Sequence, residues 1–115
     1  MVIRSPWDYQ DDMASFVKVL ERIEQSSAQL ENSLAVVQWN INKIYLTQLE
    51  ADGVTIVPTL WPETFNADNL AGYFSHFSTE QIVLKPRVSA NADNTFWLTQ
   101  GNYQDKVAEL KAAFA

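Results

Sequence analysis

Hydrophobic positions along the chain change their spacing several times, and each change marks an element. Met13, Phe16, Val17, Leu20 and Ile23 recur every three or four residues, the repeat that lines one face of an α-helix. Asp11 and Asp12 stand just ahead, and either carboxylate can accept from the first unpaired amides. The spacing therefore predicts a helix over roughly residues 11–26. The polar stretch SSAQLENS ends it. A second helical region runs from about Leu34 to Asp52, with a break near Trp39–Asn40. Ile41, Tyr45 and Leu49 form its stripe, with Leu46 beside them, and Gly53 sits where a left-handed residue closes a helix. A third helix, capped by Asn66, presents Leu70, Tyr73, Phe74 and Phe77. A last one presents Tyr103, Val107, Leu110 and Phe114, with Asn102 and Asp105 suited to its cap and first turn.

Four short stretches read as strands instead: VIR at 2–4, VTIVPT at 54–59, QIVLK at 81–85 and TFWLT at 95–99. The predicted order is β-α-α-β-α-β-β-α. This is an α/β chain (mixed α+β), a small mixed sheet with helices packed on it. With no repeat, low-complexity tract or linker in view, residues 1–115 read as a single domain.

Composition narrows the function classes. At 47% hydrophobic the chain can bury a core. No apolar run reaches the length of a membrane span. MVIRSPWDYQ lacks the long apolar core of a secretory leader, so a cytoplasmic protein is expected. Cysteine is absent, which removes disulfides, thiolate catalysis and cysteine-bound zinc. With net charge −6 and only eight Lys and Arg, the chain is ill-suited to a nucleic-acid backbone. A small anion is still within reach, because one or two well-placed lysines hold it locally.

The candidate chemistry lies in IVLKPRVSANADNTFWL, residues 82–98. Lys85 ends an apolar strand and faces a loop of small polar residues. Either its head reaches water from a sheet edge, or its charge holds a phosphate. The loop has two readings as well. Backbone amides in SANADN can converge on an anion, and the same residues favour a plain hairpin turn.

Three stretches, IRSPWDY, VVQWNINKIYLTQLEADGVTIVPTLW and VLKPRVSANADNTFWL, resemble successive motifs of the ATP-grasp superfamily, in its glutathione-synthetase-like and ribosomal-protein-modifying ligase branch. The similarity covers nearly the whole chain, in the family's order and spacing. It implies an ATP- and magnesium-dependent joining of a carboxylate to an amine through an acylphosphate. It implies that Lys43 and Lys85 face the nucleotide and that Ser89 to Thr95 fold over its phosphates. Ser89, Asn91 and Thr95 are thus candidate ligand residues, with Arg87 placed two residues after Lys85. Two departures stand out. Asn91 and Ala92 occupy places that are glycine in the family. The family's metal-binding carboxylates and asparagine lie downstream, on a second subdomain. The chain is therefore expected to be a central segment of a ligase, the end of one domain plus the first jaw of the nucleotide clamp. It is expected to be inactive without the remainder of the ligase, with no catalytic or metal-binding residue of its own. A second expectation is a free-standing small α/β protein-interaction module without nucleotide binding, one that forms a homodimer through exposed aromatic surface.

Other residues carry open alternatives. Trp7, Asp8 and Tyr9 match the family's WDY; they either shape an acceptor site or form a hydrophobic staple and turn before the first helix. Arg4 suits a bidentate carboxylate contact or a surface ion pair. Trp39 is expected in the core, fixing a helix that carries Lys43. On a strand Arg87 shares a face with Lys85, toward phosphate or toward solvent. His76, the single histidine, suits a helix C-terminus better than a metal site.

Overall fold

The computed structural model describes Ile3 and residues 7–114. Its contacts divide the chain into two compact units, Met1–Thr55 and Ile56–Ala115. No shift in composition or run of linker residues announces that division in the sequence.

In the first unit, helix α1 spans Met13–Glu24 and begins where Asp12 accepts a hydrogen bond from the Ser15 N–H at 3.0 Å. It ends as Ser26 turns its hydroxyl back onto the Ile23 carbonyl at 2.6 Å. Helix α2 spans Leu34–Asn40, with Ser33 accepting from Val36 N–H. Helix α3 spans Tyr45–Ala51. Its exit is a Schellman closure: Gly53, at φ 92°, donates to Glu50, and Val54 donates to Leu49. Leu20, Leu30 and Leu34 form the buried core, with Phe16, Val17, Ile23 and Val37 packed around it. Leu30 interrupts a polar stretch, and no periodicity singles it out.

The Asp12 carboxyl sits below the ordinary aspartate value of 3.8, held there first by the Ser15 side chain and then by its backbone N–H. A depressed folded-state pKa stabilises the helix above the unfolded value, and that contribution is lost as pH falls through the folded value. Helicity of the chain should therefore drop on acidification below pH 3.8, and Asp12→Asn should flatten that part of a circular-dichroism titration.

In the second unit, a 3₁₀ turn at Ala67–Asn69 leads into α4, Leu70–Phe77, with Asn66 capping Asp68 N–H at 2.9 Å. Strands β1, Gln81–Leu84, and β2, Phe96–Thr99, pair antiparallel with register Gln81↔Thr99, Ile82↔Leu98, Val83↔Trp97 and Leu84↔Phe96. A second 3₁₀ turn, Gln104–Lys106, precedes α5, Val107–Ala113. Leu70, Phe74, Leu98 and Leu110 are the buried centre. Phe65 and Phe96 both stack near Phe114, with centroids at 5.4 and 5.9 Å, and Tyr103 stacks near Phe74 at 5.4 Å. Alternation along the hairpin puts Ile82, Leu84 and Leu98 against this core and leaves Val83 and Trp97 outside.

The α/β class expected from the pattern holds: the described residues form five α-helices and a two-stranded antiparallel sheet. Three expectations change. VTIVPT is not a strand; Val57 is 80% exposed and no ladder forms there. β-branched residues favour extended backbone, but a strand also needs a partner, and Pro58 brings no N–H to one. Asn102 does not cap the last helix. Its side chain accepts from Thr99 N–H at 2.8 Å and closes the turn after β2. Trp39 is not core: it is 42% exposed. The predicted strand at VIR lies outside the described residues apart from Ile3, which has no strand pairing. Among the described residues no helix is long and apolar enough to cross a membrane.

Candidate functional site

The β1–β2 connection, residues 85–95, carries five of the six candidate ligand residues. The ladder ends at Leu84↔Phe96, so Lys85 stands just past the last pair, with its side chain exposed. Within this segment the charged residues are Lys85, Arg87 and a single carboxylate, Asp93. The connection is thus net positive in a chain of net charge −6, and its local field favours an anion.

The loop backbone follows from its composition. Asn91, Ala92 and Asn94 adopt φ of 55°, 60° and 51°. The left-handed region suits glycine, and asparagine tolerates it better than other residues do. Asp93 N–H donates to Ala90 at 2.9 Å and Thr95 N–H to Ala92 at 3.1 Å, two tight turns in succession. Ser89 and Thr95 are half-buried while Asn91 is exposed. The glycine-poor sequence thus still makes the left-handed geometry, with strain concentrated at Ala92. Ala92→Gly should relieve part of a ~1 kcal/mol penalty, less the entropy glycine gains when unfolded. A raised denaturation midpoint with an unchanged slope is the expected readout.

Arg87 does not continue a strand face with Lys85, because β1 has already ended. Its Nη2 donates to the carbonyls of Trp61 at 3.1 Å and Pro62 at 3.0 Å. The sequence gives no warning of this, since backbone carbonyls have no residue signature.

Lys43 belongs to the first unit and the other five candidates to the second. It lies in the turn between α2 and α3 rather than on a helix, and it is half-buried. Asn42 shapes that turn by accepting from Ile44 N–H at 3.0 Å, and the Lys43 carbonyl accepts from Leu46 N–H at 3.0 Å. Trp39 pins the turn from outside. Its ring lies 4.9 Å from that of Tyr45, and its indole N–H donates to Gln48 Oε1. Its contacts are thus with α3 and at the surface, not in a core beneath a helix carrying Lys43.

Near the N-terminus, Asp8 accepts from Asp11 N–H at 3.0 Å and Tyr9 packs on Phe16 at 5.3 Å. Asp8 thus acts as a turn residue and Tyr9 packs against α1, while Trp7 is 70% exposed. Arg4 lies outside the described residues. His76 occupies the last turn of α4, edge-on to Phe77 at 4.9 Å. A hollow of about 340 Å³ in the first unit is lined by Tyr9, Phe16, Asn32, Val37, Asn40 and neighbouring aliphatic residues. Among the described residues no three His, Asp or Glu come together as a cation site.

Comparison with known proteins adds an independent strand of evidence. Residues 1–32 match the family model for the N-terminal domain of the D-cycloserine synthetase DcsG. Over 59 residues the chain is 36% identical to the cycloserine biosynthesis protein DcsG of Streptomyces lavendulae, a match covering 51% of this chain and 19% of that protein. The crystal structure of D-cycloserine synthetase DcsG is similar with a TM-score of 0.81 at 22% identity, over 98% of this chain and 39% of that one. The chain thus shares its fold with part of a synthetase and spans well under half the length of either relative.

Proposed function

We propose that this chain supplies part of the ATP-binding cleft of an ATP-dependent carboxylate–amine ligase and does not turn over substrate by itself. The observation that carries the reading is the net-positive β1–β2 connection, where exposed Lys85 adjoins a loop with three left-handed residues. Phosphoryl-transfer sites work chiefly by positioning and by neutralising charge. Lys85 would neutralise a phosphate, while Ser89, Asn91 and Thr95 would offer hydroxyl, amide and backbone donors. The motif resemblance makes Lys43, in the first unit, a further nucleotide-facing candidate. Similarity to a synthetase of cycloserine biosynthesis supports the ligase class, and the specific carboxylate and amine are left open. Magnesium would enter with ATP, and the ATP-rich cytoplasm is the compartment this reading implies.

Calorimetry with ATP and magnesium tests it. Weak, saturable heat and a raised melting temperature at millimolar ATP are expected, since a ligand that binds only the folded state stabilises it. No heat and no thermal shift would remove the nucleotide role.

One observation favours a second reading, protein association. Val83 and Trp97 are cross-strand partners on the outer face of the hairpin, 53% and 66% exposed. A homodimer would cover such a pair, and a strictly monomeric mass by light scattering would exclude it.

A further inference from the structure

We infer that Arg87 is a positioning residue, a latch that holds the Lys85 segment against the backbone of residues 61–62, and that it does not itself grip phosphate. This rests on the nucleotide reading of Lys85. Arg87 Nη2 donates to two successive carbonyls, those of Trp61 and Pro62, at 3.1 and 3.0 Å. A guanidinium carries five N–H groups, two of them on Nη2. Both edges of the fork that can clasp two oxygens at once use an Nη2 hydrogen. With Nη2 engaged by two carbonyls, a bidentate phosphate contact on either edge would have to compete with these bonds.

The same two bonds have a mechanical consequence. Residues 54–61 form no strand ladder, so the sheet does not hold that stretch, and the guanidinium ties it to the chain emerging from β1. Between Arg87 and Lys85 stands Pro86, whose ring fixes its own φ and restricts the residue before it. Anchoring Arg87 therefore limits where the Lys85 backbone can go. A lysine on a four-carbon stem gains affinity for an anion when its base is held still, because less freedom is lost on binding.

The test uses the whole chain with Arg87→Met, which keeps side-chain length and removes the fork, and with Arg87→Lys, which keeps the charge. The probe is ATP with magnesium, titrated at several salt concentrations, alongside backbone ¹⁵N relaxation without ligand. For Arg87→Met a loss of about tenfold in affinity is expected, the scale of re-ordering one or two freed groups. The salt dependence should stay that of the wild type, because no phosphate contact is removed, and amides 88–95 should lose order in the ligand-free chain. Arg87→Lys should recover only part of that order, since an ammonium is not a planar fork. A salt dependence reduced by one charge with the loop still ordered would overturn the latch in favour of direct contact. So would full recovery by Arg87→Lys or unchanged affinity in Arg87→Met. Failure of the wild type to bind would sink the nucleotide reading separately, and the ligand-free order of the loop would still decide whether Arg87 holds it.

Discussion

Leu98→Ala should remove most of the stability of the second unit. Leu98 has no solvent exposure and lies in a core centred on four residues, with Leu70, Phe74 and Leu110. Truncating a buried leucine to alanine costs about 2–5 kcal/mol, depending on how far the surroundings collapse into the gap. Here collapse is limited on two sides. The backbone of β2 is pinned by its ladder to β1, and Thr99 N–H is held by Asn102 just beyond. A unit of this size commands only roughly 3–9 kcal/mol in total, so the loss removes most of its margin. The measurement is thermal unfolding followed by near-ultraviolet circular dichroism, together with dispersion of the Ile82 and Leu110 methyl resonances. Val83→Ala is the control: it sits one residue further along the facing strand, 53% exposed, and should change stability by no more than about 0.5 kcal/mol. If Leu98→Ala melted within a few degrees of wild type, the inward register of the hairpin would be wrong.

The helices and both hairpin strands are legible in the sequence because alternation and helical spacing are local signals. Phe16, Val17 and Leu20 repeat on one face of α1, and Leu70, Tyr73 and Phe74 on one face of α4, whatever lies around them. Gly53 announced its own left-handed turn. Elements whose state depends on a distant partner were less legible. Residues 54–57, VTIV, have strand chemistry and no strand, because extended propensity is realised only when another backbone completes it. Trp39 looked like core on the strength of its size, yet its indole N–H found Gln48 at the surface, and an aromatic with a polar tip is well placed half in water. Asn102 has an oxygen suited to capping, and it served the nearer unpaired donor, Thr99 N–H, upstream rather than downstream.

The candidate site divides along the same line. Lys85 and the loop after it stood out because a cation, a proline and a run of small polar residues are visible in one dimension. The left-handed angles at Asn91, Ala92 and Asn94 were half-legible: asparagine hints at them, alanine does not. For Arg87 the sequence leaves phosphate and solvent both open, because charge is the only property of arginine that a sequence displays. Its acceptors are main-chain carbonyls 26 and 25 positions away, which no residue pattern records.

Lys85→Met is the substitution expected to weaken ATP binding most while leaving the fold intact. Lys85 is exposed and stands beyond the strand ladder, so no core packing is lost and thermal unfolding should match wild type. A hydrogen bond to a charged group contributes about 1.5–3 kcal/mol, so removing one between the ammonium and a phosphate should weaken binding by about 10- to 150-fold. Part of that interaction is coulombic and reaches through water, so the difference between variant and wild type should shrink as salt rises toward 1 M, where screening is nearly complete within about 3 Å. Lys111→Met separates local charge from net charge. Lys111 lies in the last turn of α5 and is exposed; its loss changes the total charge equally and should leave affinity nearly untouched. Equal, small effects at Lys85 and Lys111 would reduce the β1–β2 connection to an ordinary hairpin loop, since only a lysine acting at short range can distinguish itself from one that merely adjusts the overall field.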